Sequence, residues 1–157
     1  MKPTQAMTYA AVMSAALTLG GCAGAQSPDD NHAVDEPLEN TYWKLVTLDD
    51  QPTPVVDGKR EAHFVLHAPD ASTQNSRVAG STGCNRLMGE YLHDEHELSF
   101  DRLAITRMAC PGEAGSLERT FLATLNDVSG WQIDGKTLTL LDEQGVSRAR
   151  LEAVHLY

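Results

Sequence analysis

Three cysteines and six histidines are the residues here best suited to covalent, redox or proton chemistry. Cys22 closes the order Leu19-Gly20-Gly21-Cys22, behind a lone positive charge at Lys2 and an uncharged, mostly apolar run from Ala6 to Leu19. The glycines leave the backbone open to a peptidase, and small and polar residues follow at once. This is the pattern of a bacterial lipobox, in which the Cys22 thiol carries lipid and becomes the first mature residue.

On that reading residues 1–21 are a lipoprotein signal peptide, and acyl chains such as palmitate hold the protein to a membrane outside the cytoplasm. A spanning helix would need about 20 predominantly apolar residues, more than this run supplies. A conventional cleavage after Ala23 or Ala25 leaves the Leu-x-Gly-Cys order as coincidence. Ala23 stands where an aspartate would signal retention in the inner membrane, so an outer-membrane lipoprotein facing the periplasm is expected.

Cys84 and Cys110 then form an even pair in an oxidising compartment, and a disulfide is expected. Closing a loop of that span removes unfolded-state entropy worth about 3.5 kcal/mol in the chain-entropy model. The alternative is two buried free thiols. A Cys84 nucleophile activated by His93 would require the thiol to be reduced. Ser81 lacks the first glycine of a nucleophile elbow, and no helical pattern follows it. His93-Asp94-Glu95-His96 offers metal-ligating side chains but reads as a solvated turn without a matching cluster. His63 and His67 would lie about 13 Å apart along one strand, too far to share an ion. No carboxylate pair is singled out for acid–base work, and no Gly-rich phosphate loop is present. No enzymatic activity, cofactor or metal is expected.

Twenty-two acidic side chains face twelve basic ones, a formal charge of -10, and the leader takes Lys2 from the basic set. Nucleic-acid binding through a basic face is therefore not expected. Charge alone would not hold the chain to anionic lipid, which leaves the acyl anchor. The length beyond the leader suits one domain. Residues 22–40 are small, polar or acidic with Pro28 and Pro37, and read as a flexible tether.

The folded domain is expected over 41–157. Residues 41–48 are β-branched and aromatic and end in Asp49-Asp50-Gln51-Pro52, a strand followed by a turn. Ala62, Phe64, Leu66 and Ala68 alternate with Glu61, His63, Val65 and His67, predicting a strand with its histidines outward. Short strands follow at 77–81, 87–92 and 97–100, with a turn at Asp94-Glu95. Leu117, Phe121, Leu122, Leu125 and Val128 share a helical face, predicting a helix from about Ser116 to Asp127, with Pro111 and Gly112 barring an earlier start. Strands at 131–133, 137–141 and 147–154 close the chain. The expected fold is α+β, mainly β: a small curled antiparallel sheet, a partly open or cracked barrel, with one amphipathic helix packed on it.

Gly80-Ser81-Thr82-Gly83-Cys84-Asn85, Gly89-Glu90-Tyr91, Leu98-Ser99-Phe100 and Leu103-Ala104-Ile105-Thr106-Arg107-Met108-Ala109-Cys110 resemble the META domain family, which includes HslJ-type heat-shock lipoproteins. The likeness opens with Trp43-x-Leu45, continues through Glu118, Phe121 and Leu125, and closes with Gly135-x-x-Leu138-x-Leu140. The resemblance implies a cracked-barrel envelope protein without established enzymatic activity, linked in some members to heat shock and novobiocin tolerance. Within these motifs Gly80, Gly83 and Gly89 suit tight bends or close backbone approach. Asn85 suits bonds to nearby backbone or a left-handed conformation. Thr106 and Arg107 are expected to lock the loop of Cys110 through hydrogen bonds or an ion pair.

The expected function is binding or scaffolding at the membrane under stress, with an envelope protein or an apolar ligand as partner. A carrier or pilot gripping an acyl chain or the tail of an outer-membrane protein would need an apolar crevice beside Leu117, Phe121 and Leu125. A third possibility is inhibition of a periplasmic protease by a loop spanning 55–60.

Overall fold

A computed structural model describes residues 34–155 apart from 55–57, 59 and 70–75. The chain folds as β1 (Tyr42–Leu48), β2 (Gln51–Pro52), β3 (Ala62–His67), β4 (Arg77–Thr82), β5 (Arg86–His93), β6 (Leu98–Ile105), α1 (Gly112–Asp127), β7 (Gly130–Asp134), β8 (Thr137–Leu141) and β9 (Ser147–Val154). All pairings are antiparallel, in the order β6-β5-β4-β3-β1-β9-β8-β7, with β2 on β1. The chain ends meet in the middle, because β9 pairs with β1. The two strands at the sheet's margins also touch, through a bridge between Glu97 and Gly130. Leu98 N–H donates to the Ser129 carbonyl at 3.1 Å and Trp131 N–H to the His96 carbonyl at 3.2 Å. The sheet is thus a curled half-barrel closed at one point, as expected from many short strands and one helix.

Period-2 alternation sorts the strands. Ala62, Phe64 and Leu66 are buried, whereas His63 and His67 face outward. Leu138, Leu140, Ala149, Leu151 and Ala153 complete the inner face. On β1 the register against β9 slips between Leu45 and Thr47, which turns Leu48 inward where strict alternation would place Thr47. Leu117, Phe121, Leu125 and Val128 of the helix join Trp43, Phe64 and these leucines in one core. Each large side chain withdrawn from water there contributes roughly 1.5–3 kcal/mol. Among the described residues no helix is long and apolar enough to cross a membrane.

Three boundaries differ from the expectation. The helix begins at Gly112, not near Ser116, because Pro111 supplies an extended residue just before it and Gly112 takes φ +62°. Such a φ is accessible to glycine and costly to other residues. β6 runs on to Ile105 beyond Phe100 by means of a bulge. Arg102 has φ +50°, the pairing slips between Met88 and Glu90, and Leu103 settles against Gly89, where a Cβ would lie 2.8 Å from its Cδ2. Polarity had suggested an end to the strand at Asp101; the bulge absorbs it.

The third difference concerns Asp35–Asn40, assigned above to the end of the tether. This segment lies on the domain: Leu38 is buried, its carbonyl accepts the Trp43 indole N–H at 2.9 Å, and Thr41 Oγ1 donates to the Pro37 carbonyl at 2.6 Å. Glu36 N–H donates to the Gly135 carbonyl at 2.9 Å and Asn40 N–H to the Leu66 carbonyl at 2.7 Å. A single leucine among acidic residues is too weak a pattern to reveal the docking. Residues 1–33, and with them the expected signal peptide and Cys22, lie outside the described residues.

Candidate functional site

Two backbone turns bring the motif residues together. Between β4 and β5, Gly83 takes φ +90° and leaves room for Leu117 of the helix, whose Cδ2 would be 3.1 Å from a Cβ at that position. Gly83 N–H donates to Ser81 Oγ at 3.1 Å, and Thr82 N–H to the Asn85 carbonyl at 2.9 Å. Opposite, residues 106–111 lead from β6 into the helix. A disulfide joins Cys84 and Cys110 across these turns, with Cα atoms 6.1 Å apart.

Asn85, 1% exposed, is the hub beside that bridge. Its Oδ1 accepts from Met108 N–H and from Thr106 Oγ1, both at 2.8 Å. Its Nδ2 donates to Glu118 Oε2 at 2.9 Å and to the Met108 carbonyl at 3.2 Å, and lies 3.1 Å from Cys110 Sγ. Two N–H hydrogens meet two strong oxygen acceptors, so the amide is fully used. Thr82 Oγ1 donates to the Glu118 carboxylate and accepts Asn85 N–H at 3.0 Å. Thr106 Oγ1 accepts Arg86 N–H at 3.0 Å, while Thr106 N–H donates to the Arg86 carbonyl at 3.1 Å. The arrangement ties three elements to each other: the β4–β5 turn, the 106–111 loop and the first turns of the helix.

Gly115 completes it. A Cβ there would sit 2.0 Å from the Cys110 carbonyl oxygen, so the helix can lie against the disulfide loop only with glycine at this position. Glu118 carries the helix side of the network. It belongs to the resemblance quoted above, but no role could be given to it, because its partners Thr82 and Asn85 lie more than thirty residues away in sequence. Gly83 lies in the β4–β5 turn, and Asn85 bonds Thr106 and the backbone of Met108 from outside the left-handed region. Arg107 is exposed and makes no ion pair among the described residues. Gly80 is needed for close approach, since a Cβ would lie 2.1 Å from the His63 carbonyl oxygen.

The histidines fall elsewhere. His93 Nε2 is 3.0 Å from Glu39 Oε1, and the same carboxylate accepts the hydroxyl of buried Tyr91. Burial, then the hydrogen bond and charge of Glu39, holds the Tyr91 hydroxyl protonated well above the ordinary phenol range. Asp94 Oδ1 accepts the N–H groups of His96 at 3.0 Å and Glu97 at 2.9 Å. These bonds hold its pKa below the usual carboxylate value and make it the cap of the turn expected at Asp94-Glu95. Among the described residues no group of three or more His, Cys, Asp or Glu is arranged to hold a metal ion.

Beside the disulfide network, an open groove of about 650 Å3 runs between the β1–β2 hairpin and the start of the helix, with Leu48, Pro52, Pro54 and Leu117 among its walls. Phe121 and Leu125, beside which a crevice was anticipated, are 0% exposed in the core. Leu117 alone of that trio reaches the groove. Of the loop over 55–60, all but Gly58 and Arg60 lies outside the described residues.

Among curated proteins none matches this chain. Two solved structures are similar to it. An NMR structure of a protein from Burkholderia xenovorans shares 26% identity with a TM-score of 0.60, covering 83% of this chain and 99% of its own. A second NMR structure shares 24% identity with a TM-score of 0.52, covering 73% of this chain and 90% of its own, a likeness of fold. The META domain model matches residues 36–155, taking in the docked N-terminal segment, the disulfide network and the last strand. The chain belongs to the META domain family.

Proposed function

We propose that this is a lipid-anchored, non-enzymatic envelope protein that acts by binding or scaffolding, held at the outer membrane through Cys22 and facing the periplasm. One observation carries the non-enzymatic part. Cys84 and Cys110 are bonded to each other, Asn85, Thr82 and Thr106 use their polar groups on one another and on Glu118, and no buried side-chain polar atom of the described residues lacks a partner. A disulfide-bonded cysteine is no nucleophile. Family membership supports an envelope-type role of this kind. The lipobox order at Leu19–Cys22 supports the anchor.

Thiol titration of the unreduced, folded protein tests the first part: no reactive thiol at Cys84 or Cys110 is expected, and one or two would overturn it, although His93, at the far end of β5 on Glu39, is not placed to activate Cys84. Metabolic labelling with a clickable fatty acid tests the anchor. Label should appear on the wild type and vanish in Cys22→Ala, and label retained by that variant would refute it. Cross-linking in cells identifies the partner. A carrier reading is favoured by the groove at Leu48 and Leu117, which is largely apolar and open. Co-purifying lipid detected by mass spectrometry, lost in Leu117→Glu, would establish it over scaffolding.

A further inference from the structure

Where the two margins of the sheet meet, the docked segment Asp35–Leu38, the β5–β6 turn and β7 enclose an open groove of about 510 Å3. Leu38, Trp131 and Ile133 supply its apolar lining. Trp131 is half-buried, and its indole N–H donates to the Asp94 carbonyl at 3.1 Å, which fixes the ring beside the turn. The other tryptophan of the chain, Trp43, is wholly buried. Asp35 and Glu36 of the docked segment and Glu95 of the turn bring three carboxylates to the groove, and no lysine or arginine lines it. Lys136 follows Gly135 in the β7–β8 turn and is not among the lining residues, and His96 is the only lining side chain able to carry positive charge. Asp35 Oδ1 accepts the Gly135 N–H at 2.7 Å and Glu36 Oε1 lies 3.0 Å from His155 Nε2, whereas Glu95 makes no ion pair among the described residues.

We propose that this groove docks a segment of a partner protein that carries arginine beside apolar side chains.

Charge decides between the occupants. Anionic lipid headgroups and fatty acids would bring like charge to three carboxylates. Residues 22–33 of the chain itself carry Asp29 and Asp30 and no lysine or arginine, so they match the groove no better. A second copy, of formal charge -10, is repelled as well. A basic segment instead meets opposite charge at the rim and apolar surface between. An arginine guanidinium stacks on the face of an indole while its forked N–H groups reach carboxylates, a geometry that lysine cannot reproduce. Tryptophan and arginine are also the residues that most often dominate protein–protein binding energy. This groove shares no lining residue with the one at Leu48 and Leu117. The inference rests on the binding role proposed above and on neither the anchor nor lipid carriage.

Titration of the full chain in neutral detergent with short synthetic peptides tests it, using one peptide that alternates arginine with valine and two in which lysine or glutamate replaces the arginine. Anisotropy of the labelled peptide reads binding, and tryptophan emission reads its place. The arginine peptide should bind saturably below about 1 mM, with an emission change over the same range that vanishes in Trp131→Phe. The lysine peptide should bind about threefold and the glutamate peptide at least about tenfold more weakly. Glu95→Lys, on an exposed turn, should weaken the arginine peptide about tenfold and leave the urea midpoint unchanged. The proposal is overturned by absence of saturable binding, by equal affinity for the three peptides, by an emission change that persists in Trp131→Phe, or by binding indifferent to Glu95→Lys. Partners captured by cross-linking in cells would still support the binding role after any of these results, so the two readings fail separately.

Discussion

At the two ends of β5 a segment of chain is fastened to the half-barrel, and the two fastenings use opposite physics. At the Arg86 end the disulfide loop and the first turns of the helix are held by a covalent bond and by a buried amide with every hydrogen placed. At the His93 end the segment Asp35–Asn40 is held by one buried leucine, a few backbone bonds and carboxylate contacts half open to water. Burial makes the first expensive to disturb, because an amide stripped of partners away from water keeps its full desolvation cost. Exposure makes the second easy to tune, since solvent replaces whatever contact is lost.

The contrast predicts a graded series of effects. Removing the disulfide by Cys84→Ala with Cys110→Ala should lower unfolding free energy by about 3.5 kcal/mol in urea titrations. A loss under 1 kcal/mol would mean that the Asn85 network alone holds this end. Asn85→Ala and Gly115→Ala should each cost about 2–3 kcal/mol, the first by orphaning Met108 N–H and the Glu118 carboxylate, the second by driving a methyl into the Cys110 carbonyl. Near-wild-type melting of Gly115→Ala would show that the helix start can shift without loss.

Leu38→Ala, at the other end, should cost about 2 kcal/mol or less, and its signature is local. Exchange in 34–41 should rise while that in the helix is unaltered. A cooperative loss across the whole domain would erase the distinction between the two ends. The smallest effect is expected outside both. Asp142 Oδ1 accepts the N–H groups of Val146 and Gln144, and these bonds, with Arg148, hold its carboxyl pKa below the usual carboxylate value. A depressed carboxylate contributes stability above the unfolded value near pH 4 and loses it as pH falls through the folded value. Asp142→Asn should therefore lower the unfolding midpoint slightly at pH 7, where the charged carboxylate contributes, and make the midpoint less steep in pH below about 4.

How far the chain can be read without its fold follows from the range of each interaction. Strands 62–67, 137–141 and 147–154, the buried face of the helix and the outward histidines were legible, because alternation and helical spacing are local. The cysteine pair was legible from parity and compartment. The helix start was missed because Pro111 and Gly112 looked like a barrier, although proline before a helix and a glycine at its first residue are compatible with its beginning. The bulge that carries β6 past Arg102 left only a polar interruption in the sequence.

Glycine at 80 and 83, asparagine at 85, threonine at 106 and the two cysteines are marked in the residue order as a structural motif, since few side chains tolerate such turns or such burial. Which of them touch, and that Glu118, Thr82 and Gly115 complete the set while Arg107 stays outside, depends on contacts between residues far apart in the chain. So does the docking of Glu36 and Glu39. Local pattern encodes which face of an element is wet or dry; the partners of a buried polar group are chosen only when the half-barrel closes and water is no longer there to serve as one.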